Sequence, residues 1–301
     1  MTVRISHTAE VQKFFEGAAG FDKTAGSARV KTVIHRVLTD SIKVIEDLKV
    51  TPEEFWKAVN YLNELGARQE AGLLVAGVGL EHYLDLLMDA EDEEAGHVGG
   101  TPRTIEGPLY VAGAPLSQYE ARLDDGQDPG TLLFMKGQVR NVAGEPLANA
   151  IVDVWHANTA GTYSYFDPSQ SEFNLRRRIQ TDDQGRYRFQ SIVPSGYGCA
   201  PDGPTQALLD QLGRHGQRPA HIHFFISGPG YRHLTTQINL AGDKYLHDDF
   251  AYATRDELIA DIVFKEDGSD RYAEIEFDFV LQPTEEPKEQ DKRERVRALE
   301  A

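Results

Sequence analysis

The chain has 301 residues, 40% of them hydrophobic, with a formal net charge of −17. That length allows one large domain or two smaller ones with a sizeable core. The composition is that of a soluble globular protein, and the charge argues against a nucleic-acid partner, whose phosphates would be repelled.

Cys199 is the only cysteine, which leaves no disulfide framework and no thiolate metal cluster within one chain and fits a reducing cytoplasm. The N-terminus lacks the apolar core of a signal peptide, and no window approaches a membrane span, so a cytoplasmic, non-membrane protein is expected. No internal repeat is present. The acidic run at residues 91–94 reads as a solvated loop.

The first hundred residues read as helices. Val30, Val33, Ile34, Val37, Leu38, Ile45 and Leu48 recur along one helical face. Thr51, Pro52 and Glu54 form a cap, a first-turn proline and a capping box. Phe55, Val59, Leu62 and Leu65 follow as a stripe, with Gly66 as its stop. A third helix carries Leu73, Leu80, Leu84 and Leu87. For most of these positions the reading is ordinary core.

Gly99, Gly100 and Pro102 mark a change of character. From Leu132 the pattern becomes strands and turns: 132–139, 150–155, a turn at 181–185 feeding 186–189, and 235–240. Ile275, Phe277, Phe279 and Leu281 alternate with mostly acidic neighbours, as in a strand with one buried face. The expected fold is α+β. It comprises a helical region over 1–104, an antiparallel β-sandwich over 105–283 and a charged tail over 284–301.

The chemistry gathers between Tyr163 and His223. In a strand through residues 221–226, His221 and His223 point to one face, Ile222 and Phe224 to the other. Two imidazoles on one face make half of a metal site. Tyr163 and Tyr197 each stand near glycine, where the backbone can bend and aim a side chain. Two phenolates with two imidazoles would favour ferric over ferrous iron. The residues alone do not separate Tyr163 from Tyr165, which a strand would place on the same face. There is no nucleophile elbow, no phosphate-binding loop and no His-Glu-x-x-His helix. His156, His215, His233 and His247 read as structural or surface residues.

Five motifs carry a resemblance: Asp-Val-Trp-His-Ala-Asn-Thr at 153–159, Asn-Leu-Arg-Arg-Arg at 174–178, Val-Pro-Ser-Gly-Tyr-Gly-Cys at 193–199, Gly-Arg-His-Gly-Gln-Arg-Pro-Ala-His-Ile-His at 213–223, and Leu-Thr-Thr-Gln-Ile-Asn at 234–239. Together they are similar to the intradiol ring-cleaving dioxygenases over nearly the whole chain apart from the tail.

The resemblance implies one non-haem ferric ion per chain held by Tyr163, Tyr197, His221 and His223, with Tyr163 and His221 equatorial and Tyr197 and His223 axial. It implies that catechol and dioxygen are the substrates and cis,cis-muconate the product, in aromatic degradation through the β-ketoadipate pathway. Tyr197 would leave the metal as a base, and Arg218 and Gln237 would stabilise developing negative charge. Tyr165 is then packing.

The family's pocket positions fall on Leu73, Ala76, Ile105, Pro108, Leu109, Phe250 and Ala251, none offering a charge for a ring carboxylate. That argues against protocatechuate but leaves chlorocatechol and hydroxyquinol enzymes as alternatives. His247 stands where relatives more often have Trp and could alter the pocket edge. The resemblance also implies a homodimer through the N-terminal helices, some family members holding a lipid in the interface. From another class, residues 144–150 and 181–187 resemble a transthyretin-like binding module. Such a module would not need the two tyrosines and two histidines.

Overall fold

A computed structural model describes residues 3–268 and 270–284, and the predicted charged tail lies outside them apart from its first residue. Contacts divide the chain into two compact units, residues 1–67 and 68–301. Among the described residues no single helix is long and apolar enough to cross a membrane.

The first unit holds helices α1 (Ala9–Ala18), α2 (Ala28–Leu48) and α3 (Pro52–Ala67). Thr8 and Ser27 cap the first two through hydroxyls that accept from the backbone N–H three residues on, of Val11 and Val30. The predicted capping box closes: Thr51 N donates to Glu54 Oε2 at 2.8 Å, and Glu54 N to Thr51 Oγ1 at 3.2 Å. Helix α3 runs through Gly66 to Ala67, one residue beyond the expected stop. The larger correction concerns burial. No residue of α2 is buried, and Leu65 is the buried residue of α3. The apolar stripes are real, but most of them are not core of this chain.

The second unit begins with α4 (Ala71–Gly77) and α5 (Leu80–Glu94). The predicted third helix is thus two, bent by 62° where Gly79 takes the left-handed region at φ 77°. Residues 91–94 end α5 rather than forming a loop, and Asp92 is buried between Arg103 and Arg232.

Two packed sheets follow. One contains, in spatial order, β1 (Leu116–Gln118), β5 (Arg176–Gln180), β4 (Ile151–Trp155), β9 (His221–Ser227), β10 (Leu234–Leu240) and β11 (Ile259–Ala260). The other contains β12 (Val263–Asp267), β13 (Asp270–Glu276), β3 (Leu132–Asn141), β6 (Arg186–Ile192) and β2 (Glu120–Arg122), with β14 (Phe279–Leu281) also on β3. A small pair, β7 (Tyr197–Gly198) with β8 (Gln217–Arg218), stands apart, and helix α6 (Pro204–Gln211) lies between them in sequence. Val152, Val154, Ile222, Phe224 and Ile238 from the first sheet share one core with Leu133, Met135, Phe189, Ile275 and Phe279 from the second.

The sandwich is mixed rather than strictly antiparallel. β1 and β2 run parallel to β5 and β6, β13 and β14 parallel to β3, and β10 parallel to β11. At the first pair the chain changes sheets through one left-handed residue, Tyr119, so its direction is kept in both ladders. The predicted strand over 275–281 breaks at Phe277 and Asp278. There the Phe277 carbonyl approaches Gly137 so closely that a Cβ on that residue would lie 1.7 Å from it, and it accepts from Tyr187 Oη at 2.8 Å.

Candidate metal and substrate site

Strand β9 alternates as its sequence demands. Ile222, Phe224 and Ile226 enter the core between the sheets, while Phe225 packs with Tyr110, Trp155 and Tyr163 on the other face. Both imidazoles on that second face are buried, His221 at 1% and His223 at 2% exposed. In the ladder His223 stands opposite Trp155 of β4 and Gln237 of β10. The indole lies flat on its ring, centroids 4.9 Å apart and planes within 3°. His221 Nδ1 lies 2.7 Å from the Pro219 carbonyl. A carbonyl can only accept, so Nδ1 carries the hydrogen and Nε2 keeps its lone pair.

That Nε2 faces a crowded point. It lies 3.1 Å from His223 Nε2, 3.5 Å from Tyr197 Oη and 3.1 Å from Arg218 Nη1. Tyr163 Oη is 3.4 Å from Tyr197 Oη. The tyrosines reach this point through glycine. A Cβ on Gly161, at φ 78°, would sit 2.7 Å from Tyr197 Cβ, and one on Gly196 would meet the Arg218 carbonyl at 2.4 Å. With those Cβ atoms absent, β7 pairs with β8 so that Tyr197 stands directly opposite Arg218.

Burial pushes His221 down to about 3, with the Arg218 charge adding to it, and pushes His223 well below the usual imidazole range. Burial likewise holds the Tyr163 phenol well above its ordinary value. The imidazoles are therefore neutral lone-pair donors, and the Tyr163 phenol would ionise only beside a strong positive charge. No group of three or more His, Cys, Asp or Glu side chains suited to a metal gathers among the described residues, so any metal here depends on the phenols. Two neutral nitrogens and two hard oxygens around one point suit a hard, highly charged cation.

Beside this cluster opens a cavity of about 550 Å³. Leu73, Ala76, Ile105, Pro108, Leu109, Phe250 and Ala251 all line it, together with Tyr163, Tyr197 and Arg218. Gln237 does not reach it. That side chain is fully buried, and its Oε1 accepts from Arg218 Nη2 at 2.8 Å. Arg218 is 3% exposed and also paired with Asp249, Nη2 to Oδ2 at 3.1 Å. Burial works against its charge, but the Asp249 carboxylate outweighs this and keeps it protonated.

Residues 105–283 match the family model described as dioxygenase, and residues 27–96 that described as the catechol dioxygenase N terminus. The chain is 59% identical to a catechol 1,2-dioxygenase of Acinetobacter baylyi over 87% of this chain and 86% of the relative. It superposes on the crystal structure of catechol 1,2-dioxygenase from Pseudomonas arvilla with a TM-score of 0.96 and 64% identity, covering 99% of both chains. Against 3-chlorocatechol 1,2-dioxygenase from Rhodococcus opacus the TM-score is 0.74 at 31% identity, covering 86% of this chain and all of that one. This chain belongs to the catechol 1,2-dioxygenase family.

Several residues of this catechol 1,2-dioxygenase relative stand apart from the sequence reading. Residues 164–166 form a 3-10 turn, not a strand, so Tyr163 is 3% exposed while Tyr165 is 63% exposed and lines the cavity instead of packing inside. His247 is exposed and does not line the cavity. His156 is buried between the Ala157 carbonyl and Ser191 Oγ, and His233 packs edge-on against Phe225. His215 bonds Asp248 at 2.9 Å. The reading missed Asp249, the stacked Trp155, and two charged residues of the cavity wall, Arg68 and Glu70. Asp249 sat in plain view beside Phe250; only its burial, created by the tertiary fold, marks it.

Proposed function

We infer that this protein cleaves catechol with dioxygen between the two hydroxyl-bearing carbons, giving cis,cis-muconate, at one ferric ion held by Tyr163, Tyr197, His221 and His223. The convergence of two neutral imidazole nitrogens and two phenol oxygens beside an apolar cavity carries this reading. Held by these four residues, ferric iron would supply Lewis acidity towards the bound catechol and a place for electron density drawn from its ring.

The remaining roles fall to the chain. The apolar wall from Leu73 to Ala251 seats the ring and excludes water. Tyr197, half-buried and lining the cavity, is placed to take a proton from a catechol hydroxyl at its Oη, whereas the buried Tyr163 is suited to stay where it is. Arg218, fixed by Asp249 and Gln237, offers a preorganised positive charge for oxygen anions forming beside the cluster. Gln237 acts through Arg218 as a positioning residue.

The reading assigns catalysis to residues 105–283 and pairing to the helical region of 1–104, as a cytoplasmic homodimer. Its support is the exposed apolar face of α2 and α3, including Val30, Val37, Leu48, Trp56 and Leu62, which is suited to a second copy or a lipid chain.

The test is metal analysis of the purified protein with its visible spectrum before and after catechol, and oxygen uptake with chromatographic identification of the product. About one iron per chain, a visible phenolate band and stoichiometric muconate are expected. Zinc or no metal in active protein, or a product cleaved outside the two oxygen-bearing carbons, defeats the reading. Parallel rates with methylcatechols, chlorocatechols and hydroxyquinol place the substrate preference.

A further inference from the structure

Three charged side chains line the catechol cavity: Arg68, Glu70 and Arg218. Arg68 is paired with Asp202 at 3.2 Å, and Arg218 with Asp249 at 3.1 Å. Glu70 has no cation partner among the described residues. Its carboxylate is nevertheless held in place. Glu70 precedes α4 but makes no side-chain cap for that helix; its Oε2 instead accepts from Thr205 N at 2.9 Å, in the first turn of α6. The approach requires Gly203, where a Cβ would lie 2.3 Å from Glu70 Oε1.

We propose that Glu70 is a charge filter on this cavity, disfavouring aromatic substrates that carry a carboxylate and weakening retention of the dianionic product. The inference rests on the catechol-cleaving reading. Catechol itself is neutral at neutral pH and meets no penalty at a fixed negative wall. A ring-carboxylated catechol meets one, and muconate, with two carboxylates, meets a larger one. The apolar positions fail to attract a carboxylate; Glu70 adds an active repulsion.

The experiment compares two ligands of similar size, one with a charged and one with a neutral ring substituent, 3,4-dihydroxybenzoate and 3,4-dihydroxybenzyl alcohol. Binding to the iron-containing protein is measured by calorimetry under nitrogen, where nothing turns over. The readout is the ratio of their dissociation constants, acid over alcohol. Glu70→Gln keeps an acceptor for Thr205 N and removes the charge, and should lower the ratio roughly three- to ten-fold. Arg68→Gln should raise it. In the unmodified protein the ratio should fall as salt rises from about 0.02 to 0.5 M, because a charge on an open cavity is screened. A merely structural role for Glu70 moves both ligands alike and leaves the ratio unchanged. An unchanged ratio in Glu70→Gln, or a salt-independent ratio in the unmodified protein, overturns the proposal. Catechol-dependent oxygen uptake by the unmodified protein is a separate control: its absence sinks the parent reading, not the charge filter.

Discussion

Strand β9 and helix α2 both announce an apolar face by periodicity, yet only one of them closes within the chain. Six consecutive residues of β9 are buried, because its sheet is covered on both sides: by the second sheet under Ile222 and Phe224, and by Tyr110, Tyr163 and Tyr197 packed with Trp155 and Phe225 on the histidine face. Helix α2 repeats Val, Ile and Leu just as regularly and buries none of them. Periodicity states which face avoids water; it does not state what covers that face. The same local signal therefore means core in one region and unfilled surface in the other, and substitutions in the two should fail in different ways.

The largest effect is expected at the covered face. Phe224 is fully buried with its ring 4.8 Å from Phe279. Phe224→Ala should cost about 3–5 kcal/mol, a large share of the roughly 5–15 kcal/mol that holds a domain folded. Denaturant unfolding measures this directly, and a loss below about 1 kcal/mol would remove the distinction between the two regions.

Next comes the charged layer beside that strand. Arg218→Ala removes a preorganised donor, and turnover should fall about a hundred- to a thousand-fold while iron is retained. It also strands Asp249, whose side chain is 1% exposed, and an uncompensated buried charge costs about 3–5 kcal/mol. Adding Asp249→Ala to the same variant should restore most of the stability and none of the turnover. If the double variant regained turnover, Arg218 would not be the donor; if it regained no stability, the stranded Asp249 charge would not be what the single variant suffers from.

How much of this was legible in the sequence follows the same division. The histidine face of β9 could be read because a period of two is local, and the capping box of α3 because it closes over four residues. Tyr163 against Tyr165 could not, since the choice depends on a 3-10 turn that breaks the strand pattern at 164–166. The bend between α4 and α5 turns on one left-handed glycine inside a continuous apolar stripe. The parallel pairings were invisible because they join segments far apart in the chain, such as Leu132–Asn141 with Asp270–Glu276, and alternation is the same in either direction. Asp249 and Glu70 read as ordinary acids because their partners, Arg218 and Thr205, lie 31 and 135 residues away.

A pH experiment gives a smaller effect, confined to the covered region. Burial lowers His156 from 6.5 to about 4, so between these values the unfolded chain binds a proton that the folded one refuses. Stability from this group is complete above pH 6.5 and is lost as the pH falls towards 4, amounting to about 2 kcal/mol at pH 5. Unfolding free energies measured from pH 5 to 8 should fall towards the acid side, and His156→Gln should remove this share of the slope, leaving that of the buried His221, His223 and His233. An identical slope in the variant would mean that other groups govern the acid side.

The smallest effect on a dilute single chain belongs to α2. Val37 is 54% exposed on the apolar stripe, and Lys has a slightly better helix propensity than Val. Val37→Lys should therefore change the stability of the isolated chain by no more than about 0.5 kcal/mol, in contrast to Phe224→Ala. Its effect should appear in association. Under the homodimer reading, an ammonium on this face would have to be buried against the second copy, so self-association should weaken at least about ten-fold. Sedimentation across a micromolar concentration series, paired with unfolding at the lowest concentration, separates the two readouts. A dissociation constant unmoved by the lysine would show that this stripe is not the contact. A loss of more than about 2 kcal/mol in the dilute chain would show that α2 is covered by its own chain after all, and the contrast with β9 would be gone.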